Sequence, residues 1–280
     1  MSYNAEISQR NPTCFLFLID QSESMSEVIP EENKSKAEAL ADATNRLLQA
    51  LVLRCVRGET VLDRFHVGVI GYGGTVGPAL GGALANKNLV LLSELALNPL
   101  RIEQRDRKVS DGAGGVVEQS FKFPVWFEPK TQGKTPLCGA FDLAWQTLAN
   151  FLQRYPECYP PLVINITDGR PTDGNPEKHA APIRALGSKD GNVLLFNVHM
   201  SIFAKGTTVE FPDREDHLPN DYAKQLFRMS SALPPPLRET AKREGYRVNE
   251  ATRGFVYNAD IVSVIRFMDI GTRVDPKNLR

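Results

Sequence analysis

Residues 14–24 read CFLFLIDQSES: an unbroken apolar run, Cys14–Ile19, passes directly into Asp20-Gln21-Ser22-Glu23-Ser24. Such a run is what a strand buried on both faces presents, and the abrupt change to acid and hydroxyl residues marks its carboxyl end. In open α/β sheets the ligand crevice lies at that end of the strands. Alternate positions of an extended turn point the same way, so Asp20, Ser22 and Ser24 can converge while Gln21 and Glu23 point elsewhere.

Working outward, Phe65–Tyr72 (FHVGVIGY), Leu162–Thr167 (LVINIT) and Val193–His199 (VLLFNVH) repeat the buried-strand pattern. Between them, Ser35–Val56 and Cys138–Leu152 space apolar residues by three and four, as amphipathic helices do. Strands alternating with helices predict an α/β fold, with a central mostly parallel sheet and helices on both faces. Further on, Asp221–Ala232 and Pro236–Glu244 read as two helices jointed at Pro234-Pro235-Pro236, Gly254–Tyr257 as a last strand, and Ile261–Met268 as the closing helix.

The segment from Gly73 to Lys134 breaks the alternation. Within it Glu118–Phe127 (EQSFKFPVWF) places Phe121, Phe123, Val125 and Phe127 on one face, and Pro124 on the other suits an antiparallel edge strand. One domain over 13–270 is expected, with 73–134 inserted, 1–12 a flexible N-terminus and 271–280 a C-terminal tail.

Two further oxygen residues stand where helices start or strands end: Thr135 in Gly133-Lys134-Thr135-Pro136, and Asp168 in Thr167-Asp168-Gly169. Asp20, Ser22, Ser24, Thr135 and Asp168 would surround one point with oxygen. A hard cation such as Mg²⁺ takes about six oxygens. Only two of these five are charged, so an acidic group from a partner would complete both the shell and the charge balance.

In order and context, Asp20-x-Ser22-x-Ser24, Thr135 and Asp168-Gly169 resemble the metal-ion-dependent adhesion site of the von Willebrand factor A family. The resemblance covers Thr13 to Met268. It implies a Rossmann-like fold, a bound Mg²⁺ (or Mn²⁺ or Ca²⁺) and a partner protein that presents Asp or Glu to the metal. In the family the serines and threonine contact the metal directly or nearly so, and the aspartates often act through water. The glycine-rich insertion before Thr135 resembles bacterial intracellular members, some of them similar to stress-response and tellurite-resistance proteins.

Competing readings are weaker. Asp20, Ser22 and Ser24 could merely cap the helix that follows. Gly133-Lys134-Thr135 is not a phosphate loop, because Glu128 stands where its first glycine belongs; Lys134 is expected in solvent. Gly71-Tyr72-Gly73 fails the dinucleotide spacing at Val76. A haloacid-dehalogenase-type Mg²⁺ phosphohydrolase needs an acid two residues after its nucleophile, where this chain has Ser22. A scaffold with a lapsed metal site is the third alternative. No nucleophile–base pair can be assembled, so no catalysis is expected. Asp173 is expected to build a turn, the four histidines to be structural or exposed, Trp126 to lie on the edge strand and Trp145 on a core-facing helix stripe.

The bulk numbers agree with a binding module. Lys+Arg and Asp+Glu each number 33 in 280 residues, so there is no basic field for nucleic acid. No apolar stretch predicts a signal or membrane span, which points to a soluble cytoplasmic chain. Cys14, Cys55, Cys138 and Cys158 are far apart, predicting buried thiols rather than a zinc site or disulfides.

Overall fold

The computed structural model describes residues 3–30, 32–110, 115–201 and 207–273. Besides two small antiparallel pairs, Val28–Ile29 with Lys34–Ser35 and Val56–Arg57 with Thr60–Val61, its strands are β1 (Thr13–Asp20), β2 (Phe65–Tyr72), β3 (Val76–Pro78), β4 (Val90–Leu91), β5 (Arg101–Ser110), β6 (Val116–Val125), β7 (Leu162–Thr167), β8 (Leu194–Met200), β9 (Val209–Glu210) and β10 (Phe255–Ala259). Its helices are α1 (Lys36–Arg54), α2 (Leu92–Leu97), α3 (Leu137–Arg154), α4 (Glu177–Ala185), α5 (Asp221–Met229), α6 (Pro235–Arg243) and α7 (Ile261–Thr272).

The central sheet runs β9-β10-β8-β7-β1-β2-β3, with β4 also on the outer edge of β2. β1 lies parallel to β2 and β7, β7 to β8, and β8 to β10. The antiparallel strands are all at the margins: β3 and β4 on β2, and β9 on β10. The expected α/β architecture is therefore present.

Period-2 alternation sends the side chains of β1 into two cores. Phe15, Phe17 and Ile19 pack in one cluster with Leu40, Leu47 and Leu51 of α1 and Val264 and Phe267 of α7. Cys14, Leu16 and Leu18 pack in the other with Phe141 and Leu148 of α3, Ile183 of α4 and Leu226 of α5. All eight residues of β1 are buried. At roughly 1.5–3 kcal/mol per fully buried large apolar side chain, this double burial is what fixes the strand at the centre.

α1 begins at a capping box: Ser35 Oγ accepts from Glu38 N and Glu38 Oε2 accepts from Ser35 N at 2.8 Å. α4, which no apolar period announces, carries Pro182 inside it.

Three expectations need correction. Glu118–Phe127 does not edge the central sheet: β6 pairs with β5 in a separate two-stranded ribbon, Pro124 opposite Ile102. Alternation shows that a strand has a buried and a wet face, not which strand it pairs with. The ribbon is rooted by Asn45, whose Oδ1 accepts from Trp126 N (2.8 Å) and Phe127 N (3.0 Å), and by Trp126 Nε1 donating to Leu95 O at 2.7 Å.

Trp145 is 41% exposed rather than core-facing. The buried stripe of α3 runs Phe141, Ala144, Leu148, Phe151, and Trp145 lies one helical step off it. The N-terminal segment is tied down over residues 3–7: the backbone N–H groups of Asn4 and Ala5 donate to the Asp190 carboxylate at 3.0 and 2.9 Å, and Ile7 is fully buried.

Cys14, Cys55, Cys138 and Cys158 are buried free thiols. Residues 274–280 of the expected tail lie outside the described residues. Among the described residues no helix is long and apolar enough to cross a membrane.

Candidate metal-binding site

Because Ile19 of β1 sits opposite Ile166 of β7, Asp20 comes beside Thr167 at the carboxyl edge of the sheet, and Asp168 follows one residue beyond. Asp20 is 1% exposed, and both its oxygens are engaged: Oδ1 accepts from Ser22 N at 2.9 Å and Oδ2 from Thr167 Oγ1 at 2.8 Å. Burial pushes its carboxyl up to about 6 against the lowering effect of these hydrogen bonds, with the Asp168 charge adding to the rise.

Ser22 stands at the N-cap of a 3₁₀ turn over Glu23–Ser26, yet its side chain makes no capping hydrogen bond. Its hydroxyl instead lies 3.1 Å from that of Ser24, and Ser24 Oγ donates to Asp168 Oδ1 at 2.7 Å. The competing reading, in which this turn merely caps the helix after it, does not describe Ser22.

Thr135 arrives on the loop before α3. That loop is clamped to the Asp20–Ser24 turn: Gln132 N donates to Gln21 O at 2.7 Å, and Glu23 N to Gly133 O at 3.0 Å. Gly73 makes the clamp possible, since a Cβ there would stand 2.5 Å from Gln21 O and 2.7 Å from Gln132 O. Thr135 N donates to Thr172 Oγ1 at 3.1 Å, whereas among the described residues its own hydroxyl has no hydrogen-bond partner. A Cβ built on Gly169 would lie 3.7 Å from Thr135 Oγ1 and 3.9 Å from Ser24 Oγ, so the two hydroxyls flank one small space.

Asp20, Ser22, Ser24 and Asp168 thus form one hydrogen-bonded run, and Thr135 faces it from a third loop without bonding to it. Two carboxylates and three hydroxyls are the donor chemistry of a hard cation. Among the described residues no group of three or more His, Cys, Asp or Glu side chains is placed to hold a metal ion, and the candidate site itself brings together only two carboxylates, its other oxygens being hydroxyls.

Some solved structures resemble this one. The pilus adhesin SpaC from Lactobacillus rhamnosus GG aligns at 12% identity over 95% of this chain and 30% of its own, with a TM-score of 0.49. The manganese-loaded TRAP protein of Plasmodium vivax aligns at 15% identity over 96% and 76%, TM-score 0.42. The vWF domain of the type V pili tip protein Mfa5 from Porphyromonas gingivalis aligns at 12% identity over 58% and 39%, TM-score 0.33. This chain therefore spans well under half the length of SpaC and of the Mfa5 chain. Comparison with protein-family models and with curated proteins finds no match.

Several neighbours of the site escape a reading of the sequence. Lys36, whose side chain is 4% exposed, pairs its ammonium with Asp168 Oδ2 and, at 2.7 Å, with Glu27 Oε2. A signal for it existed: lysine at the first position of a helix opposes the helix dipole and calls for a local anion. Thr167 holds Asp20, and the Tyr222 hydroxyl donates to Gly169 O.

Asp173, expected to build a turn, instead accepts from Cys138 N (3.1 Å) and Gly139 N (2.9 Å) at the start of α3. A tertiary contact of this kind leaves no local trace. His199 stacks on Tyr257 with ring centroids 4.5 Å apart, and burial lowers its pKa to about 4, so it stays neutral beside the site. Lys134 is exposed, as expected.

Proposed function

We propose that this chain is a von Willebrand factor A-type module that binds a divalent cation, Mg²⁺ or Mn²⁺, and through it an Asp or Glu carboxylate of a partner protein. The observation that carries the proposal is the run Asp20–Ser22–Ser24–Asp168 at the carboxyl ends of two adjacent parallel strands, with the Thr135 hydroxyl, which has no partner among the described residues, beside it.

Asp20, Ser22, Ser24, Thr135 and Asp168 would hold the ion, which supplies a Lewis-acid vertex for a carboxylate. The chain's residues do the rest: Thr167 and the Ser22 amide orient Asp20, and the Gln21–Gln132 clamp keeps the threonine loop against the aspartate turn. The neutral hydroxyls leave a bound dication under-compensated, which favours an incoming anion.

In this reading the module binds rather than catalyses, since Ser22 stands where a phosphohydrolase would need its acid. Four buried free thiols suit a reducing compartment, which is what the reading of a cytoplasmic module rests on.

The test is calorimetric titration with Mn²⁺ and Mg²⁺ of the wild-type chain and of Asp20→Ala, joined to a pull-down with and without chelator for wild type and Ser22→Ala. Binding of the ion to wild type alone, and a partner lost in chelator and in the serine variant, is the expected result. A partner retained equally under every condition removes the metal from the mechanism.

A further inference from the structure

The buried ammonium of Lys36 is unusual beside a site proposed to hold a cation. It occupies the first position of α1, nine-tenths and more buried, and meets Oδ2 of Asp168, while Ser24 Oγ donates to Oδ1. Glu27 covers it from the rim, with a side chain 51% exposed. Three charges therefore lie in line from solvent to site: Glu27, Lys36, Asp168.

We infer that Lys36 is a built-in counter-ion that withholds part of the cage's negative charge from the metal, so that the ion is bound weakly until a carboxylate from the partner joins it. This rests on the metal-dependent reading given above. The five-residue cage carries two formal negative charges, from Asp20 and Asp168, against the two positive charges of the ion. Lys36 offsets one of those carboxylates from within, and Glu27, half exposed and screened by solvent, returns only part of that charge. The dication therefore meets less negative charge than the two aspartates alone would offer, and like charges a few ångströms apart in a partly buried site repel appreciably. A carboxylate arriving at the open vertex removes that deficit, which couples metal affinity to partner occupancy.

The alternative role for such a lysine is to hold the Asp168 carboxylate in its rotamer. The two roles differ in sign. Removing a repelling charge tightens metal binding, whereas losing a strut loosens it.

The experiment is titration of the full chain with Mn²⁺ alone, for wild type, Lys36→Met, Lys36→Arg, Glu27→Gln and Asp20→Ala, with thermal unfolding of each variant as a check on folding. Lys36→Met is expected to bind Mn²⁺ about tenfold more tightly than wild type, since a unit charge near a dication is worth at least that much at intermediate dielectric. Lys36→Arg keeps the charge and is expected to bind as wild type does. Glu27→Gln, at an exposed position that tolerates change, uncovers the ammonium and is expected to weaken binding about threefold; it decides the matter alone if Lys36→Met fails to fold. Unchanged or weaker binding in folded Lys36→Met, or unchanged binding in Glu27→Gln, overturns the counter-ion role and leaves the metal site standing. Wild type that takes up no more Mn²⁺ than Asp20→Ala overturns the metal-dependent reading and this inference with it.

Discussion

The Ser24 hydroxyl donates to Asp168 Oδ1 across 2.7 Å, and that one bond joins turns 144 residues apart in the chain. It closes the run from Asp20 to the end of the neighbouring strand and gives the site its compactness. Ser24 is itself exposed, so its removal disturbs the site more than the fold. Ser24→Ala is expected to lower Mn²⁺ affinity at least tenfold while changing urea-unfolding stability in metal-free buffer by under about 1 kcal/mol. Equal Mn²⁺ isotherms for the two proteins would remove Ser24 from the site.

Gly73 lets the two site loops touch. A methyl group at Gly73 meets backbone oxygens of both Gln21 and Gln132, neither of which can swing aside as a side-chain tip could. Gly73→Ala is expected to cost about 1–3 kcal/mol by overpacking and to weaken Mn²⁺ binding by separating Thr135 from Asp20. Urea unfolding and titration of the same preparation check both effects; a variant as stable as wild type speaks against the clamp.

Asp173 caps α3 from a distant loop. Its carboxylate accepts two of the orphan N–H groups at the start of the helix, where negative charge is also favoured by the helix dipole. Asp173→Ala is expected to lower stability by about 1–2 kcal/mol, read from the urea midpoint at unchanged slope.

His199 makes the stability fall in mild acid. Its folded pKa of about 4 lies below the ordinary 6.5, so the folded state resists protonation. The associated stability is complete above pH 6.5 and is lost as pH falls toward 4, by at most about 3 kcal/mol. Asp20, raised to about 6 from 3.8, acts in the opposite sense, being most stabilising when protonated. The difference between wild type and His199→Gln, followed by urea unfolding from pH 7.5 to 4.5, isolates the histidine. A constant difference across that range would show that the ring is not held neutral.

Much of this architecture is legible in the order of residues. The four central strands announce themselves because burial on both faces demands continuous apolar runs, and the boundaries of Phe65–Tyr72 and Leu162–Thr167 coincide with β2 and β7. The position of Asp20 and Asp168 at the carboxyl edge of the sheet was legible for the same reason, since each stands where such a run ends.

Pairing was not legible. Arg101–Ser110 is too charged to announce a strand, and its guanidinium at Arg105 packs 3.7 Å over the Phe123 ring, a contact created only once the ribbon has formed. Lys36 and Asp173 likewise act on residues far along the chain, and spacing carries no record of such meetings.

The two tryptophans occupy contrasting surroundings, Trp126 sealed at the ribbon's root with its ring nitrogen bonded to Leu95 and Trp145 open to water on α3. Intrinsic emission is therefore a two-channel probe. The blue component belongs to Trp126 and reports opening at the base of the hairpin, and the red, readily quenched component belongs to Trp145 and reports the helix that starts beside Thr135. Loosening of the hairpin can be followed separately from events at the helix with no dye attached.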